Sequence, residues 1–346
     1  MVVVGADVHK RTHTFVAVDE VGRELGQLAV SADGKGHDKA VRWAQARFGP
    51  ELRWGIEDCR HLSARLEMDL LDAGQSVVRV PPRLMAERRR IARTRGKSDP
   101  IDALAVARAV LREPGLPAAS HDEASRELKL LVDHRDDLVR QRTAVVNRFR
   151  WRLHRIDPTV DPAPSSLNRA KTRVSLAGRD GIDARLAREL LVDIEGLTAR
   201  VDILEKEVAG LAATQAPSLL ALPGCGGLTA AKIVGETAGV ARFAGEAKYA
   251  MHAGVAPIPV WSGRTAGRVR MSRSGNRQLN AALHRIAVTQ IRLDCPGRHY
   301  YRKRIAAGDS TTEALRSLKR RLARIVFNAL KNNPSTAAAA PLADAA

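Results

Sequence analysis

Four acidic residues in the first third of the sequence have the type and spacing that divalent-cation chemistry requires. Asp7 and Glu57 each follow a strand-like run, "VVVGA" and "RWGI", while Asp99 and Asp102 lie three residues apart in "SDPID". Mg²⁺ (or Mn²⁺) binds carboxylate oxygens, and a cation held in this way stabilises the attacking and leaving oxygens when a phosphodiester is cut. These four residues are therefore the candidate catalytic and metal-binding set.

Each of these acids also has a plainer interpretation. Asp7 or Glu57 alone is typical of a strand end that faces solvent. "SDPID" is also a good helix start, with Asp99 as the N-cap, Pro100 as the first helical residue and Asp102 three residues past the cap. Capping does not account for Asp7 or Glu57, however, and the three-residue spacing places Asp99 and Asp102 on one helix face. The joint pattern favours a metal site.

The charge of the chain predicts a polyanionic partner. Its 57 lysines and arginines against 38 acidic residues give a formal charge of +19, a field that attracts nucleic acid. Aromatic residues are only 3% of the chain, which favours phosphate contacts over base stacking. The segment "RLMAERRRIARTRGK" is either a nucleic-acid contact or a solvated charged face. The candidate nucleic-acid-binding side chains are Arg88, Arg89, Arg90, Arg93, Arg95 and Lys97 in that segment, and Arg264, Arg268, Arg273 and Arg277 further along.

A glycine-rich turn offers a second kind of phosphate contact. "LPGCGGLTAAKI" is similar to a helix-hairpin-helix, in which a tight turn presents backbone N–H groups to a DNA phosphate. Gly224 and Gly226 are the contact residues in that interpretation, and a plain corner between two helices is an equally good one. The run is not a Walker loop, because Lys232 follows Ala231 rather than glycine, so ATP use is not indicated.

Other features exclude several classes of protein. No stretch approaches the roughly 18 apolar residues of a membrane-spanning helix, and "MVVVGADVHK" does not look like a secretion signal. We therefore expect a cytoplasmic protein with no membrane partner. Cys59, Cys225 and Cys295 are far apart, so neither a disulfide framework nor a structural zinc site is indicated.

The elements that must position the acids follow the order β-β-β-α-β-α-β-α. Consecutive strands form a meander, whereas strands separated by helices pair in parallel, so we expect an α/β fold with a mixed sheet and flanking helices. Helical periodicity predicts long helices at 122–155 and about 182–215, which would pair as an antiparallel coiled-coil arm or a dimerisation element. The predicted division is a catalytic domain at 1–115, the helical arm at 120–215, a mostly helical domain at 216–332 and a disordered tail at 333–346.

Six motifs carry a resemblance to a known family. They are "GADVHK", "GIEDCRH", "GKSDPIDALAVA", "LPGCGGLTAAKI", "HAGVAPIPVWSGRTAG" and "RMSRSGNRQLNAALHRIA", and together they span most of the chain. The sequence resembles the DEDD-type transposases of insertion sequences, the IS110 group, which are related to pilin-gene inversion recombinases. The resemblance implies a DNA-cutting and rejoining enzyme of a prokaryotic cell, associated with the nucleoid.

The resemblance also implies a fold, a metal set and a nucleophile. The first domain would be RNase-H-like, similar to the RuvC resolvase, with Asp7, Glu57, Asp99 and Asp102 binding Mg²⁺. The C-terminal transposase domain of this family has a serine that forms a phosphoserine link to DNA, and the motif places it at Ser262. By chemistry alone Ser262 is a loop serine, and Ser272 and Ser274 in "MSRSGN" are rivals.

The family resemblance extends to partners. It implies double-stranded DNA at the element ends and target, a structured noncoding guide RNA, and a homodimer or homotetramer that brings DNA ends together. Two alternatives remain open. One is a structure-selective endonuclease of the RuvC type that uses water, and the other is a non-catalytic protein that binds DNA or RNA through charge alone.

Overall fold

The computed structural model describes residues 1–57, 62–81, 84, 98–113, 115–116, 118–119, 123–178, 180–260, 262–263, 269–271 and 275–333. They form two compact units, one of Met1–Asp122 with Ala241–Lys248 and one of Glu123–Val240 with Tyr249–Ala346. The predicted tail lies outside the described residues, apart from Asn333. Also outside them are the candidate side chains Arg88, Arg89, Arg90, Arg93, Arg95, Lys97, Arg264, Arg268 and Arg273, and the rival serines Ser272 and Ser274.

The first unit is built on a five-stranded sheet. Its elements are β1 (Val2–Val8), β2 (Thr12–Val18), β3 (Glu24–Ser31), α1 (Gly34–Phe48), β4 (Leu52–Glu57), α2 (Ala64–Asp72), β5 (Ser76–Val80) and α3 (Asp99–Arg112). The strand order is β3-β2-β1-β4-β5, in which β1, β2 and β3 form an antiparallel meander and β1, β4 and β5 pair in parallel. The predicted mixed sheet with flanking helices is confirmed.

Strand β1 lies at the centre of this sheet and faces two separate apolar cores. Val4 and Ala6 pack in the core that also holds residues of α1 and α2, whereas Val3 packs in the core that holds Ala103 and Val106 of α3. Successive side chains of a strand point to opposite faces. Asp7 therefore points to the same face as Val3, the face that α3 covers.

Two long helices dominate the start of the second unit. α4 (Glu123–Ile156) and α6 (Ile182–Gln215) have 34 residues each, with the short α5 (Ala170–Ala177) between them. Ion pairs set an antiparallel register, because Arg135 in the first half of α4 pairs with Glu205 near the end of α6, and Arg152 near the end of α4 pairs with Asp183 at the start of α6. The two predicted long helices are confirmed.

The buried seam between these two helices is apolar. It is formed by Val145, Val146, Phe149 and Leu153 of α4 against Ala187, Leu191 and Ile194 of α6. A narrow apolar stripe on each of two long helices is the arrangement that antiparallel helical pairs bury. A role of this pair in dimerisation stays a prediction.

The rest of the described chain is mostly helical, as predicted. Its elements are α7 (Pro217–Leu220), α8 (Gly227–Thr237), α9 (Glu246–His252), β6 (Pro257–Pro259), β7 (Val269–Met271), α10 (Arg277–Arg292), α11 (Pro296–Ala306) and α12 (Thr311–Lys331). α8 packs on both α4 and α6, and β6 and β7 form a two-stranded antiparallel ribbon. None of the helices in the described residues is long and apolar enough to cross a membrane.

Candidate functional site

Helix α3 lies directly on β1 and β4 because two glycines leave bare backbone beneath it. A Cβ atom on Gly5 would lie 2.2 Å from the carbonyl oxygen of Ala103, and one on Gly55 would lie 2.5 Å from Cγ2 of Val110. The two glycines are partners in the parallel register of β1 and β4. Their absent side chains bring the start of α3 close to the ends of these strands.

The four predicted acids lie around this contact. Asp7 and Glu57 each stand two residues after one of the glycines, so both point to the α3 face, at the carboxyl ends of neighbouring parallel strands. Asp99 and Asp102 are in the first turn of α3. The charges of Asp102 and Asp99 both act on the Asp7 carboxyl, so these three acids lie close together.

A histidine that the sequence analysis did not select completes this group. The Nε2 atom of His9 lies 3.0 Å from Oδ2 of Asp7 and 3.3 Å from Oδ1 of Asp99. We call Asp7, His9, Asp99 and Asp102 the Asp7 cluster. The motif "GADVHK" contains both Asp7 and His9, and residues two apart at the end of a strand share a face, so this spacing was a signal for the pair. The turn after β1 holds the imidazole beside the carboxylate.

The capping interpretation of Asp99 is wrong by one residue. Ser98 is the N-cap, with an extended backbone (φ −147°), and its carbonyl oxygen accepts from the N–H groups of Ile101 and Asp102. Asp99 is therefore already helical, and its carboxylate faces His9. This removes capping as the explanation for the Asp99 side chain.

The surroundings of Asp7 oppose the negative charge of its own carboxyl group. Burial raises the pKa of the Asp7 carboxyl, His9 lowers it, and the neighbouring charges of Asp102 and Asp99 raise it, with a net upward shift. The Asp7 side chain is 11% exposed, against 49% for Asp99. A buried carboxylate beside two others is stabilised by a cation, because the cation offsets both the lost hydration and the repulsion.

These residues fit a divalent metal ion. One ligand atom from each of Asp7, His9 and Asp99 lies within 4.8 Å of the other two. The set offers carboxylate oxygens and an imidazole nitrogen, which are donors that Mg²⁺, Mn²⁺ and other first-row divalent ions accept in different degrees. The half-exposed Asp99 and His9 leave one side of the group open to solvent.

Two further histidines lie next to the turn that carries His9. Nδ1 of His13 accepts from the backbone N–H of His9 at 3.3 Å, and the His13 ring stacks on that of His37 with centroids 5.1 Å apart. Nδ1 of His37 is 2.5 Å from Oδ2 of Asp69. Burial, together with the neighbouring His37, lowers the pKa of His13 to about 4. His13 is therefore neutral at physiological pH.

Ser262 lies in the second unit, in the segment that joins β6 to β7. It is exposed, and the next residue, Gly263, has a left-handed backbone (φ +46°) that favours glycine. We call residues 257–271 the Ser262 segment. Ser262 is thus a surface residue between two short antiparallel strands.

The base of the Ser262 segment is closed by hydrogen bonds. Gly275 (φ +107°) packs so closely that a Cβ there would lie 2.6 Å from the backbone nitrogen of Gly254, and the N–H of Asn276 donates to the carbonyl oxygen of His252 at 2.6 Å. The side chain of Asn280 donates to the carbonyl oxygens of Ala253 and Gly254 at 3.0 and 3.1 Å. These contacts join the residues that precede the segment to those that follow it.

A buried carboxylate of α8 links this base to Lys129 of the long helix α4. Glu236, only 3% exposed, accepts from Nζ of Lys129 at 2.9 Å and from Nδ2 of Asn276 at 2.5 Å. Oδ1 of Asn276 in turn accepts from the backbone N–H groups of Gln278 and Leu279 and so caps α10. We call Lys129, Glu236 and Asn276 the Asn276 anchor. One signal for it lies in the sequence, because an asparagine before "RQLNAALHRIA" is typical of a helix N-cap.

The predicted phosphate-binding turn has a structural role at one glycine. Gly224 (φ +80°) packs against α10, where a Cβ would lie 3.0 Å from that of Thr289. Gly226 is the N-cap of α8, and a Cβ on it would meet nothing within 4 Å. Arg277 is exposed at the first turn of α10. The next residue, Gly227, packs on α6, where a Cβ would lie 3.0 Å from Ala209, so an anion contact at this turn stays a prediction for the Gly226 side.

Two family models match this chain. The model of the DEDD transposase of IS110, described as a transposase, matches residues 4–158, and the model described as the transposase of the IS116/IS110/IS902 family matches residues 216–302. Both halves of the chain thus match the same family. This chain belongs to the IS110 family of transposases. It is therefore an enzyme that cuts and rejoins DNA, and DNA is its substrate.

Proteins similar to this transposase come from insertion elements. The 44.8 kDa protein of insertion element IS116 from Streptomyces clavuligerus is 27% identical over 99% of this chain and 98% of its own length. The 42 kDa protein of IS900 from Mycobacterium paratuberculosis is also 27% identical, over 97% of this chain and 98% of its own. The alignments therefore run nearly end to end.

The RuvC resolvase of T. thermophilus in complex with a Holliday junction substrate is a similar solved structure. It aligns with 34% of this chain and 99% of its own, at 17% identity and a TM-score of 0.27. The strand order β3-β2-β1-β4-β5 and the match to the DEDD model make the first unit of the transposase RNase-H-like. The predicted fold class and family are confirmed.

The matched regions of the transposase contain both groups of polar residues. The first includes the whole Asp7 cluster and Glu57, and the second includes Ser262, Glu236 and Asn276. The matched ranges include no residue of α6 and, because the second ends at residue 302, none of α12. The two family models thus include both groups of polar residues, while the alignments with the insertion-element proteins extend through the remaining helices as well.

Proposed function

We propose that Asp7, Glu57, Asp99 and Asp102 bind the Mg²⁺ (or Mn²⁺) ions with which this transposase cuts DNA. The observation that carries the proposal is the convergence of Asp7 and Asp99 on the His9 imidazole at 3.0 and 3.3 Å, beside the buried Asp102. Repulsion among acids at this spacing costs free energy that a bound cation offsets. Bound divalent ions would supply Lewis-acid stabilisation of the charged oxygens of the phosphodiester.

The protein's own groups have distinct tasks in this proposal. The buried Asp7 is the rigid ligand, because its strand lies at the centre of the sheet. Asp99 is more exposed and would bind the metal on the side that faces solvent. Glu57 would bind it from the neighbouring strand, β4. The close contact of Gly5 with α3 keeps the strand acids, Asp7 and Glu57, at a fixed distance from the helix acids, Asp99 and Asp102.

Ser262 is the nucleophile in the same proposal. Its exposed Oγ attacks the phosphorus atom, a bond from Oγ to phosphorus forms, and the bond to the leaving deoxyribose oxygen breaks. Rejoining reverses this exchange, because a DNA hydroxyl attacks the phosphoserine and releases the serine. The energy of the broken bond is thereby kept for strand transfer. Support comes from the exposure of Ser262 and from the anchoring of the segment that carries it.

We also propose that the transposase binds DNA, a guide RNA and further copies of itself. The basic residues of the sequence, including Arg277 at the start of α10, contact phosphates of element ends and target DNA. Gly224 and Gly226 add backbone contacts from the turn before α8. A structured noncoding RNA from the element guides the complex. Two or four copies of the chain act together at the nucleoid, with α4 and α6 in the contact between copies.

One experiment tests the nucleophile. The purified protein is incubated with Mg²⁺, DNA carrying a candidate element end and its flanking noncoding RNA, and protein–DNA adducts are sought on denaturing gels and mapped by peptide mass spectrometry. We expect an adduct at Ser262, its loss in Ser262→Ala, and its retention in Ser175→Ala, which changes an exposed serine of α5. DNA binding should survive in all three proteins.

The same experiment separates the alternatives. If Ser262→Ala still cuts DNA and no adduct forms with the wild-type protein, the enzyme hydrolyses DNA with water as a resolvase-type endonuclease does. If Asp7→Asn and Asp102→Asn change neither cutting nor Mg²⁺ dependence, the four acids are not the metal ligands. A protein that binds DNA without any Mg²⁺-dependent product would contradict both parts of the proposal.

A further inference from the structure

The structure assigns a role to His9 that goes beyond the four acids. We infer that its imidazole is a ligand of the divalent ion, so that the centre is a mixed nitrogen and oxygen site that prefers a first-row transition ion to Mg²⁺. This inference rests on the proposed function, because it requires that the Asp7 cluster binds a cation. In this view the His9 side chain determines which divalent ion the Asp7 cluster prefers.

The position of one atom carries the inference. Nε2 of His9 is 3.0 Å from Oδ2 of Asp7 and 3.3 Å from Oδ1 of Asp99, so a single nitrogen faces both carboxylates. In the described residues, this is the set of three ligand atoms that lie within 4.8 Å of one another. The Nε2 atom of His9 and one carboxylate oxygen from each of Asp7 and Asp99 are therefore close enough to bind a single ion.

The backbone holds His9 in this place. It follows directly after β1, and its N–H donates to the carbonyl oxygen of Thr12 at 3.1 Å and to Nδ1 of His13 at 3.3 Å. Val8 and His13 are partners in the antiparallel register of β1 and β2, so the turn is short and closed. A ligand on such a turn loses little conformational freedom when it binds an ion.

Donor chemistry decides the preferred ion. Mg²⁺ takes oxygen ligands and keeps much of its water shell, whereas imidazole nitrogen suits transition ions and is accepted by Mn²⁺ in mixed sites. A histidine that only balanced charge would instead carry a proton and would leave when the ion entered. The two roles differ in whether nitrogen is bonded to the metal.

Pulsed electron paramagnetic resonance with Mn²⁺ tests this directly. We expect the echo envelope of Mn²⁺ bound to the full-length protein to show modulation by ¹⁴N, and this modulation to be lost in His9→Ala. His299→Ala is the matched control, since His299 also pairs with an aspartate, Asp294, at 3.3 Å but lies in the second unit. That variant should keep the ¹⁴N signal.

Affinity measurements supply the second readout. By titration calorimetry, His9→Ala should weaken Mn²⁺ binding by about tenfold or more and Mg²⁺ binding by less than about threefold. Bound Mn²⁺ without ¹⁴N modulation, or equal losses for both ions, would overturn the role of His9 while the carboxylate site stands. If the wild-type protein binds neither ion and Asp7→Asn changes nothing, the proposed metal function itself fails.

Discussion

The Asp7 cluster and the Asn276 anchor hold polar groups in opposite ways. In the cluster, the buried Asp7 and Asp102 lie beside the half-exposed Asp99 and His9, and backbone packing of α3 against Gly5 and Gly55 sets their separation. In the anchor, the charge itself is buried, and Glu236 joins Lys129 to Asn276 in the interior. Shape therefore determines the first region and charge pairing the second.

This difference predicts which substitutions each region tolerates. A site that binds a cation from solution must be accessible to solvent, and its carboxylates must still carry charge that the cation can neutralise. The fold around such a site therefore cannot depend on ion pairs made by those carboxylates. A loop base that only holds a segment in place can use a buried ion pair, because its partners never leave. The cluster should thus be sensitive to added volume, and the anchor to lost charge.

The largest effect is expected at Gly5. In Gly5→Ala the added methyl group meets the carbonyl oxygen of Ala103 at 2.2 Å, and backbone cannot rotate away as a side chain can. We expect unfolding in denaturant to show a loss of more than about 3 kcal/mol, or no folded protein. Gly210→Ala, in α6 with nothing within 4 Å of the new Cβ, is the control and should be neutral or slightly stabilising. Equal stability of the two variants would contradict the packing argument.

The anchor should respond next most strongly. Glu236→Ala leaves Lys129 with Asp133 as its acidic partner and removes the buried acceptor of the Asn276 side chain, at a cost of about 2–3 kcal/mol. Denaturant unfolding measures this loss. Glu195→Ala, which removes an exposed partner of Arg173, should change stability little. If Glu236→Ala is as mild as that control, buried charge does not hold the base of the Ser262 segment.

A smaller effect appears as a dependence on pH. The pKa of His13 is lowered to about 4 in the folded protein, below the 6.5 of an unperturbed histidine, so the unfolded chain takes up the proton first. Stability from neutral His13 is complete above pH 6.5 and is lost as pH falls toward 4, by about 2 kcal/mol at pH 5. His13→Asn should flatten this loss between pH 7 and pH 5, whereas His154→Asn on α4 should not.

The smallest effect has the opposite sign. Burial and the nearby carboxylates raise the pKa of Asp7, so its ionised form destabilises the metal-free fold as pH rises through that pKa. Asp7→Asn should therefore stabilise the metal-free protein at pH 7, by less than about 1 kcal/mol, and should abolish stabilisation by added divalent ions. Thermal unfolding with and without metal tests both statements. Asp38→Asn, an exposed acid on α1, should change neither.

The sequence predicted the sheet because its strands and helices have clear periods. Asp7 and Glu57 were selected because a carboxylate after an apolar strand is costly unless something binds it. The parallel pairing of β1 and β4 then puts both at one edge, as strands separated by a helix usually pair. These steps use only local pattern and general topology.

Other parts of the site depend on contacts that no local pattern contains. His9 meets Asp99 only because α3 docks beside the end of β1, and the role of Gly5 likewise depends on α3, about a hundred residues further along. Glu236 in "GLTAAKIVGE" was indistinguishable from a surface acid on an amphipathic helix until its partner Lys129, more than a hundred residues away, was known. Long-range pairs of this kind require coordinates.

The dependence of α3 on Gly5 has a consequence during synthesis of the protein. Strands β1 and β2 can form a hairpin as soon as they leave the ribosome, but β1 gains its parallel neighbour only after β4 is made. The acids of α3 arrive last, some ninety residues after Asp7. A nascent chain thus carries its carboxylates dispersed, and the ability to gather a metal ion begins only when α3 docks on the finished sheet.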